Sequence, residues 1–379
     1  GVLDTASPIV RVSRDRLPAD AGAQPETQAE PQVAVSPINP KIVFAVWQDG
    51  RLASFGAAAI GWGVSRDGGK TWTRGRLPRL TTATGGPYTS ATDPWIAFDA
   101  SGRAHVVALV RTDSGASTTS AIVAYSTTNL GAAWQGPVVV HASETFLDDK
   151  VSVAVDRVVG SPLRGTVYVG WSIAGRVVVA RSRDQGRTFE APIPLGPAGV
   201  GVAGLGVVLA VSNGGRIHAV WQRSPELATS SSTDGGLTWS EVKTVAQVVS
   251  PGVLGVRTGD GLPSLAAAGR KLFVVWHDGR FAPDETVHVA IAVSNDGGVT
   301  WQAPRRISGG PLDAASFLPA VAVDDRGRVG VSFLSVRNDP AHAETAVVVF
   351  GEFQRSSACA GLRAGDVDDV REHAIERLL

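Results

Sequence analysis

The chain has few of the residue types that carry redox or metal chemistry. Its 379 residues include one cysteine, Cys359, and no methionine. A single cysteine excludes a disulfide within the chain. The histidines form no H-x-x-x-H pair, and the sequence has neither a G-x-S-x-G nucleophile turn nor a phosphate-binding loop. The usual metal and nucleophile motifs are therefore no guide to its function.

An excess of charge of one sign is also lacking. The 35 basic residues balance the 35 acidic ones, and only 18% of residues are charged. Nucleic acids and anionic membranes are bound by basic surfaces, so neither is a predicted partner. No apolar run is long enough for a membrane span. The start at Gly1 fits either a removed secretory signal or a trimmed chain, and we expect a secreted or periplasmic protein. The sequence does not indicate an oligomeric state.

The sequence is rich in internal repetition. The phrase S-x-D-x-G-x-T-W occurs in four good copies, at 65–72, 182–189, 232–239 and 294–301, and in a worn fifth copy at 127–134. Ser and Asp side chains hydrogen-bond nearby backbone N–H groups, and Gly supplies the positive φ that other residues resist. Each copy therefore predicts a tight turn, which its aromatic residue pins onto the strands beneath.

A second repeat consists of apolar strands that end in a tryptophan or a substitute for it. Its six copies end at Trp47, Leu109, Trp171, Trp221, Trp276 and Phe333, and another strand precedes each of them. Four short strands at a period of about 55 residues are typical of a propeller blade. The sequence predicts an all-β fold, a six-bladed β-propeller over residues 1–355, with a C-terminal tail over 356–379.

The two ends of the chain are predicted to differ in structure. The sixth unit has a third strand at 345–350 but no turn phrase after it. Residues 8–13 are similar to the strand at 304–308, so the N-terminal strand is predicted to close the last blade. In the tail, Val367, Val370, Ala374 and Leu378 share one helical face, and we expect a short docking helix, with partner binding as the alternative role.

The repeated turn phrase resembles the Asp-box, or BNR repeat, of the sialidase superfamily over about residues 8–355. The resemblance implies that each turn joins the third and fourth strands of a blade, on the face away from the active site. The catalytic pattern of that family is not matched. Ala29 stands where the first carboxylate-binding arginine is expected, residues 52–64 contain no acid, and no tyrosine follows Tyr168. Ordinary sialidase activity is therefore not expected.

Polar residues that follow the second strands or lead into the first strands are predicted to share the functional face. Paired carboxylates can hydrolyse glycosidic bonds, arginines bind carboxylates, and a histidine beside an acid can act as a base. The candidate catalytic residues are Asp49, Asp93, Asp278 and His277, and the candidate substrate-binding residues are Arg51, Arg280, Arg337, Trp95 and Tyr88. The alternative is that these are exposed turn residues with solvated charges.

Acidic residues that lead into the first strands also suggest a metal site. Glu30, Asp149 and Asp260, together with Asp93, could ring the central channel, and Ca²⁺ prefers such oxygen ligands. Alternatively, these carboxylates hold the strand starts by accepting backbone N–H bonds. No other cofactor is predicted.

Two functions from different classes fit these observations. The leading hypothesis is an extracytoplasmic glycan-directed protein, a non-standard glycoside hydrolase that acts through rim carboxylates and arginines on a carbohydrate or another polar small ligand. The alternative is a non-catalytic lectin or protein-interaction scaffold. The dense rim of acids and arginines favours the first, and the missing sialidase residues favour the second.

Overall fold

The computed structural model consists almost entirely of antiparallel β-strands. It describes residues 10–14, 17, 27–115, 117–196, 203–253, 256, 258, 261–324, 326–336, 347–353 and 371–375. The all-β prediction is confirmed. No helix of the described residues has the length and apolar character needed to cross a bilayer. The contacts divide the chain into two units: Gly1–Ile217 with Ser232–Ser240, and His218–Ser231 with Glu241–Leu379.

The first unit is built from meanders of four strands each. Its strands are β1 Ala29–Val35, β2 Val43–Arg51, β3 Ala57–Ser65, β4 Thr73–Arg76, β5 Ser90–Phe98, β6 Ala104–Asp113, β7 Thr118–Thr127, β8 Gln135–Ser143, β9 Asp148–Val155, β10 Val167–Ile173, β11 Arg176–Ser182, β12 Ile193–Pro194 and β13 Leu205–Ser212. Strands β1–β4 and β5–β8 form two meanders joined by one pair, Ala57 with Ala91. Strands β9–β12 form a third.

Apolar side chains fill the space between successive meanders of this unit. One cluster joins Phe44, Val46 and Trp62 to residues of β5–β7, and a second joins β6 and β7 to β9–β11 around Trp171. Strands covered on both faces have nearly continuous apolar sequences, as in β6, and this explains the uninterrupted hydrophobic runs.

The second unit repeats the same meander. Its strands are β14 Arg216–Arg223, β15 Glu226–Ser232, β16 Lys243–Gln247, β17 Ser264–Ala268, β18 Lys271–Asp278, β19 His288–Ser294, β20 Arg305–Arg306, β21 Ser316–Val323, β22 Val329–Ser335, β23 Val347–Phe353 and β24 Arg371–Ile375. Strands β17–β20 form one sheet in sequence order, and β21–β24 form another. Its main core is made by Phe273, Val275, Val331 and Phe333 with their neighbours.

The prediction for the two ends of the chain is corrected by this topology. The fourth strand of the last sheet is β24, from the C-terminal tail, and it pairs antiparallel with β23 from Val348↔Ile375 to Glu352↔Arg371. Residues 371–375 are thus strand where a helix was expected, and the rest of the predicted helix lies outside the described residues. Near the N-terminus, residues 10–14 are not strand; the Nε of Arg74 donates to the carbonyl oxygen of Val12 at 2.6 Å.

The repeated phrase forms a side-chain-locked turn between the third and fourth strands of a meander. In the copy that follows β11, Ser182 Oγ accepts the N–H of Gly186 at 2.8 Å and donates to Asp184 Oδ1 at 2.7 Å. Asp184 Oδ1 in turn accepts the N–H of Thr188 at 2.9 Å, and the Thr188 hydroxyl donates to Oδ2. The copies at 65–72, 232–239 and 294–301 have the same bonds. The turns are therefore structural, as the resemblance implies.

Candidate functional site

Three β-bulges bring charged residues together at the end of the first unit that is opposite the repeated turns. The bulges lie at Glu30 in β1, Asp93 in β5 and Lys150 in β9, where the strand registers shift. All three residues have positive φ, near 50°. Non-glycine residues rarely adopt this conformation, so its use at three equivalent positions is a distinct feature of the repeat. The equivalent position in the first strand of three successive meanders thus places three side chains close together.

The three side chains form an ion cluster centred on the lysine. Lys150 Nζ lies 2.8 Å from Asp93 Oδ1 and 3.1 Å from Glu30 Oε1. We call these three residues the acid–lysine cluster. Asp93 is 8% exposed, whereas Lys150 and Glu30 are 23% and 31% exposed. The cluster is therefore open to solvent on the side of Glu30 and Lys150, and Asp93 lies at its base.

Neighbouring polar groups fix the orientation of Glu30. Its Oε2 accepts Gln48 Nε2 at 2.6 Å, the Thr92 hydroxyl at 3.2 Å and the backbone N–H of Asp93 at 3.0 Å. Gln48 Nε2 also donates to Thr92 Oγ1 at 2.6 Å. Because Glu30 is held from two adjacent meanders, its carboxylate is positioned before any ligand arrives.

The environment moves the pKa values of the two carboxyl groups in opposite directions. Burial and then the charge of Glu30 raise the pKa of Asp93 to about 7, despite Lys150, and Asp149 adds to the increase. Burial acts against ionisation of Glu30 as well, but Lys150 and the hydrogen bonds outweigh it and lower its pKa. Burial also opposes the charge on Lys150, yet Asp93 and Glu30 raise its pKa. At neutral pH the cluster thus holds an anionic Glu30, a cationic Lys150 and a partly protonated Asp93.

Asp49 and Arg51, both predicted at the site, lie at the end of β2. Asp49 is buried, and its Oδ2 accepts Arg76 Nε at 2.6 Å. Successive strand residues point to opposite faces, so Asp49 and Gln48 face different ways. The half-buried Arg51 has no hydrogen-bond partner for its Nε among the described residues. Asp49 is thus committed to Arg76, whereas its neighbour Gln48 belongs to the acid–lysine cluster.

Tyr88 and Trp95, the predicted sugar-stacking residues, are both partly buried. Tyr88 packs against the first apolar cluster and Trp95 against the second. Burial raises the pKa of the Tyr88 hydroxyl. Trp95 follows Asp93 by two residues on β5, so it lies near the acid–lysine cluster, but its ring contributes to packing.

The predicted residues of the second unit form a closed ion pair. Asp278 is fully buried and accepts Trp276 Nε1 at 2.6 Å and Arg280 Nη2 at 2.7 Å. The adjacent His277 is also buried; its Nε2 accepts the N–H of Gly261 at 3.0 Å and lies 3.0 Å from Ser250 Oγ. Asp278 and Arg280 thus form an ion pair with each other, and Nε2 of His277 accepts a backbone N–H. Arg337 lies outside the described residues.

The predicted calcium ligands are arranged poorly for a cation. Lys150 Nζ lies between Glu30 and Asp93, so a metal ion at that place would meet an ammonium group. Asp149 is next to Lys150 in β9, and Asp260 lies outside the described residues. Among the residues that the structure describes, no group of three or more His, Cys, Asp or Glu side chains could hold a metal.

Comparison with known proteins places the fold. Neither a family model nor a curated protein matches the sequence. A Dyadobacter fermentans protein of unknown function matches with a TM-score of 0.55 and 13% identity, over 86% of this chain and 94% of that chain. A leech intramolecular trans-sialidase, in complex with 2,7-anhydro-Neu5Ac, matches with a TM-score of 0.57 and 12% identity, over 93% and 70%. An α-L-arabinofuranosidase of Fusarium graminearum matches with a TM-score of 0.53 and 12% identity, over 89% and 95%.

The fold is sialidase-like. It is the fold of sialidases and related propeller glycosidases, as the repeated turns suggested. Within this sialidase-like fold, the sequence had placed Asp93 among the candidate catalytic residues and Glu30 among the candidate calcium ligands, but it had assigned no role to Lys150, Gln48 or Thr92. Alignment of the repeats could have identified Lys150. The pairs Glu30-Pro31, Asp93-Pro94 and Lys150-Val151 occupy equivalent positions in the first strands of three meanders.

Proposed function

We propose that the protein binds glycans and hydrolyses a glycosidic bond at the acid–lysine cluster. The observation that carries this proposal is a pair of carboxyl groups in contact with one lysine nitrogen, Asp93 at 2.8 Å and Glu30 at 3.1 Å, whose pKa values are moved in opposite directions. Two carboxyl groups whose pKa values are moved apart are the usual signature of an acid and its anionic partner. The six-bladed propeller is part of the same proposal, as is a location outside the cytoplasm.

The proposal gives each member of the cluster a role that its geometry supports. Asp93 is partly protonated near neutral pH because its pKa is raised to about 7, and in that form it would donate its proton to the leaving oxygen. Glu30 stays ionised and would act as the nucleophile. The two carboxylate oxygens contact the same nitrogen, so they lie at most about 6 Å apart, closer to the spacing of retaining glycosidases than to that of inverting ones. Because Lys150 Nζ lies between them, it would move aside when a glycosidic bond enters the cluster. Lys150 would stabilise the anionic Glu30, and the mechanism would retain anomeric configuration.

Arginines contribute less to this proposal than the sequence suggested. Ala29 replaces the first arginine of sialidases, and Arg280 is paired with Asp278. Recognition of a substrate carboxylate by a set of arginines therefore has no support in the described residues. A sialidase reaction is not part of the proposal.

A screen of aryl glycosides and oligosaccharides tests the assignment. The wild-type chain should release sugar, and nuclear magnetic resonance should show retained configuration. Asp93→Asn and Glu30→Gln should each lower kcat at least 100-fold. The matched control is Glu190→Gln, which removes an exposed carboxylate bound to Arg181 next to a repeated turn, and its activity should be unchanged. Turnover that survives in Asp93→Asn would overturn the assignment, and sugar binding without turnover would establish the lectin alternative.

A further inference from the structure

Two loops beside the acid–lysine cluster carry a pair of aromatic rings capped by an arginine. Phe55, between β2 and β3, and Phe146, between β8 and β9, meet edge to face with their ring centroids 4.9 Å apart. The guanidinium carbon of Arg111 lies 5.4 Å from the first ring and 5.8 Å from the second. Phe146 and the adjoining Leu147 are 38% and 43% exposed. We call Phe55, Phe146 and Leu147 the aromatic platform.

The platform is held firmly although it is open to solvent. Phe55 is partly buried against the second apolar cluster. Arg111 also donates to Asp113 Oδ2 at 2.6 Å, so its plane is fixed against both rings. The loop between β8 and β9 could be closed by a polar residue at position 146, so the exposed aromatic ring of Phe146 calls for another explanation. A preorganised, exposed aromatic surface is typical of a ligand-binding site.

Two links of the chain connect the platform to the acid–lysine cluster. Leu147 is followed directly by Asp148, Asp149 and Lys150 at the start of β9. Next to Phe55, a Cβ added to Gly56 would lie 3.3 Å from Cβ of Thr92, the residue whose hydroxyl donates to Glu30. The platform and the cluster are thus adjoining parts of one surface of the first unit.

The charges around this surface restrict the ligand. Glu30 and Asp149 carry negative charges, and Lys150 carries a positive charge beside them. Asp93 is protonated in part of the molecules. On the platform, Arg111 is balanced by Asp113. The charges of these six groups sum to a negative value, so the groups would repel an acidic sugar, whereas hydroxyl groups of a neutral sugar can donate to the carboxylates.

We propose that the aromatic platform is a subsite for a neutral sugar ring, adjacent to the bond cleaved at the acid–lysine cluster. The apolar C–H face of the ring would lie on Phe146, because the negative face of an aromatic ring attracts polarised C–H groups. This inference rests on the proposed function, which supplies the neighbouring cluster, and adds to it the charge class of the substrate and the residues that select it.

Binding measurements test the subsite separately from catalysis. Calorimetry would compare neutral gluco-, manno-, xylo- and arabino-oligosaccharides with the acidic probes sialyllactose and oligogalacturonides. At least one neutral probe should bind, and more tightly than either acidic probe. Phe146→Ala should weaken that binding at least tenfold, and Phe146→Trp should retain it. Val159→Ala changes a side chain that is 83% exposed elsewhere on the first unit and should have no effect.

The outcomes separate the two proposals. Wild-type affinity in a folded Phe146→Ala variant, tighter binding of an acidic probe, or no binding of any neutral probe would overturn the subsite. If Phe146→Ala loses affinity while Asp93→Asn retains full turnover, the subsite stands and the catalytic assignment fails. If Asp93→Asn still binds the neutral probe but no longer cleaves it, both proposals are supported.

Discussion

Lys150 Nζ lies 2.8 Å from Oδ1 of Asp93, and each residue occupies a bulge with φ near 50°. The two bulges belong to different meanders, so the contact depends on the packing of β5 against β9 and not on local sequence. Their equivalent positions in the repeat mean that one backbone feature, used three times, builds the site. The same bulge recurs in β21, where it carries the apolar Leu318. The bulge is therefore a feature of the repeat that does not require a charged residue.

The free energy of unfolding should fall with rising pH because of Asp93. Its pKa is raised to about 7 in the folded protein, from 3.8. Below the lower value both states hold the proton, and between the two values only the folded state does, so stability is lost as pH rises from about 4 to about 7. Relative to wild type, Asp93→Asn should gain roughly 1–4 kcal/mol over that range. Urea unfolding at pH 4, 6 and 8 measures this.

Val159→Ala is the control for that series, because it changes an exposed side chain that does not titrate, and its stability should follow the wild-type pH dependence. Parallel stability curves for wild type and Asp93→Asn would show that Asp93 ionises normally. Such a result would also remove the observation on which the catalytic assignment depends.

Replacement of Lys150 should expose the repulsion between the two carboxyl groups. Lys150→Met leaves Glu30 and Asp93 together without their shared cation, so both pKa values should rise. We expect a loss of roughly 2–4 kcal/mol at pH 8 and a smaller loss at pH 5, where Asp93 is protonated. Thermal unfolding at the two pH values measures it. Lys150→Arg keeps the charge and should recover most of the stability; an equal loss in both variants would indicate a packing role instead.

The sequence predicted the local parts of this molecule well. A turn such as 182–189 is determined by bonds among its own eight residues, and the strand that contains Trp171 by its own apolar pattern. The bridge from Lys150 to Glu30 could not be predicted in this way, because it depends on the register of three sheets. For Asp278 the error was of a different kind: its ion pair with Arg280 is local, but the sequence did not show that the carboxylate is fully buried.

The C-terminal tail shows a second limit of local pattern. Apolar residues at helical spacing, Val370 and Ala374 among them, indicated a helix. The third strand of the last sheet has an edge with unpaired backbone groups, and residues 371–375 pair with it as β24. Pairing of a sheet edge outweighs a weak helical preference, as tertiary context commonly does.

Each repeated turn should depend on its serine. In Ser182→Ala the buried N–H of Gly186 loses its acceptor, so we expect a loss of about 1–2 kcal/mol. Arg183→Ala, at the exposed variable position of the same turn, should be neutral. Denaturant unfolding followed by tryptophan fluorescence compares the two. Equal stability of both variants would show that the hydroxyl of Ser182 is dispensable.

Acid should weaken the same turns. Partial burial opposes ionisation of Asp184, but hydrogen bonds from Thr188 and Ser182 outweigh it and lower its pKa to about 2. A carboxyl group with a lowered pKa stabilises the folded state above about pH 4, and that contribution disappears as pH falls towards about 2. Asp184→Asn should therefore lose stability at pH 6 but differ less from wild type at pH 2.5. A difference that is constant with pH would mean that the charge of Asp184 is unimportant.

Close packing of an indole against glycine in the first meander gives the last prediction. Trp47 is buried across Gly61 on the neighbouring strand, and a Cβ added to Gly61 would lie 2.6 Å from Cε2 of the ring. Because a well-packed interior resists added volume, Gly61→Ala should cost about 1–3 kcal/mol and change the near-ultraviolet circular dichroism of tryptophan. Trp47→Leu alone should also destabilise, but the double variant should lose less than the sum, since the shorter side chain leaves room for the methyl group. Additive losses would show that the cost of Gly61→Ala does not come from contact with the indole.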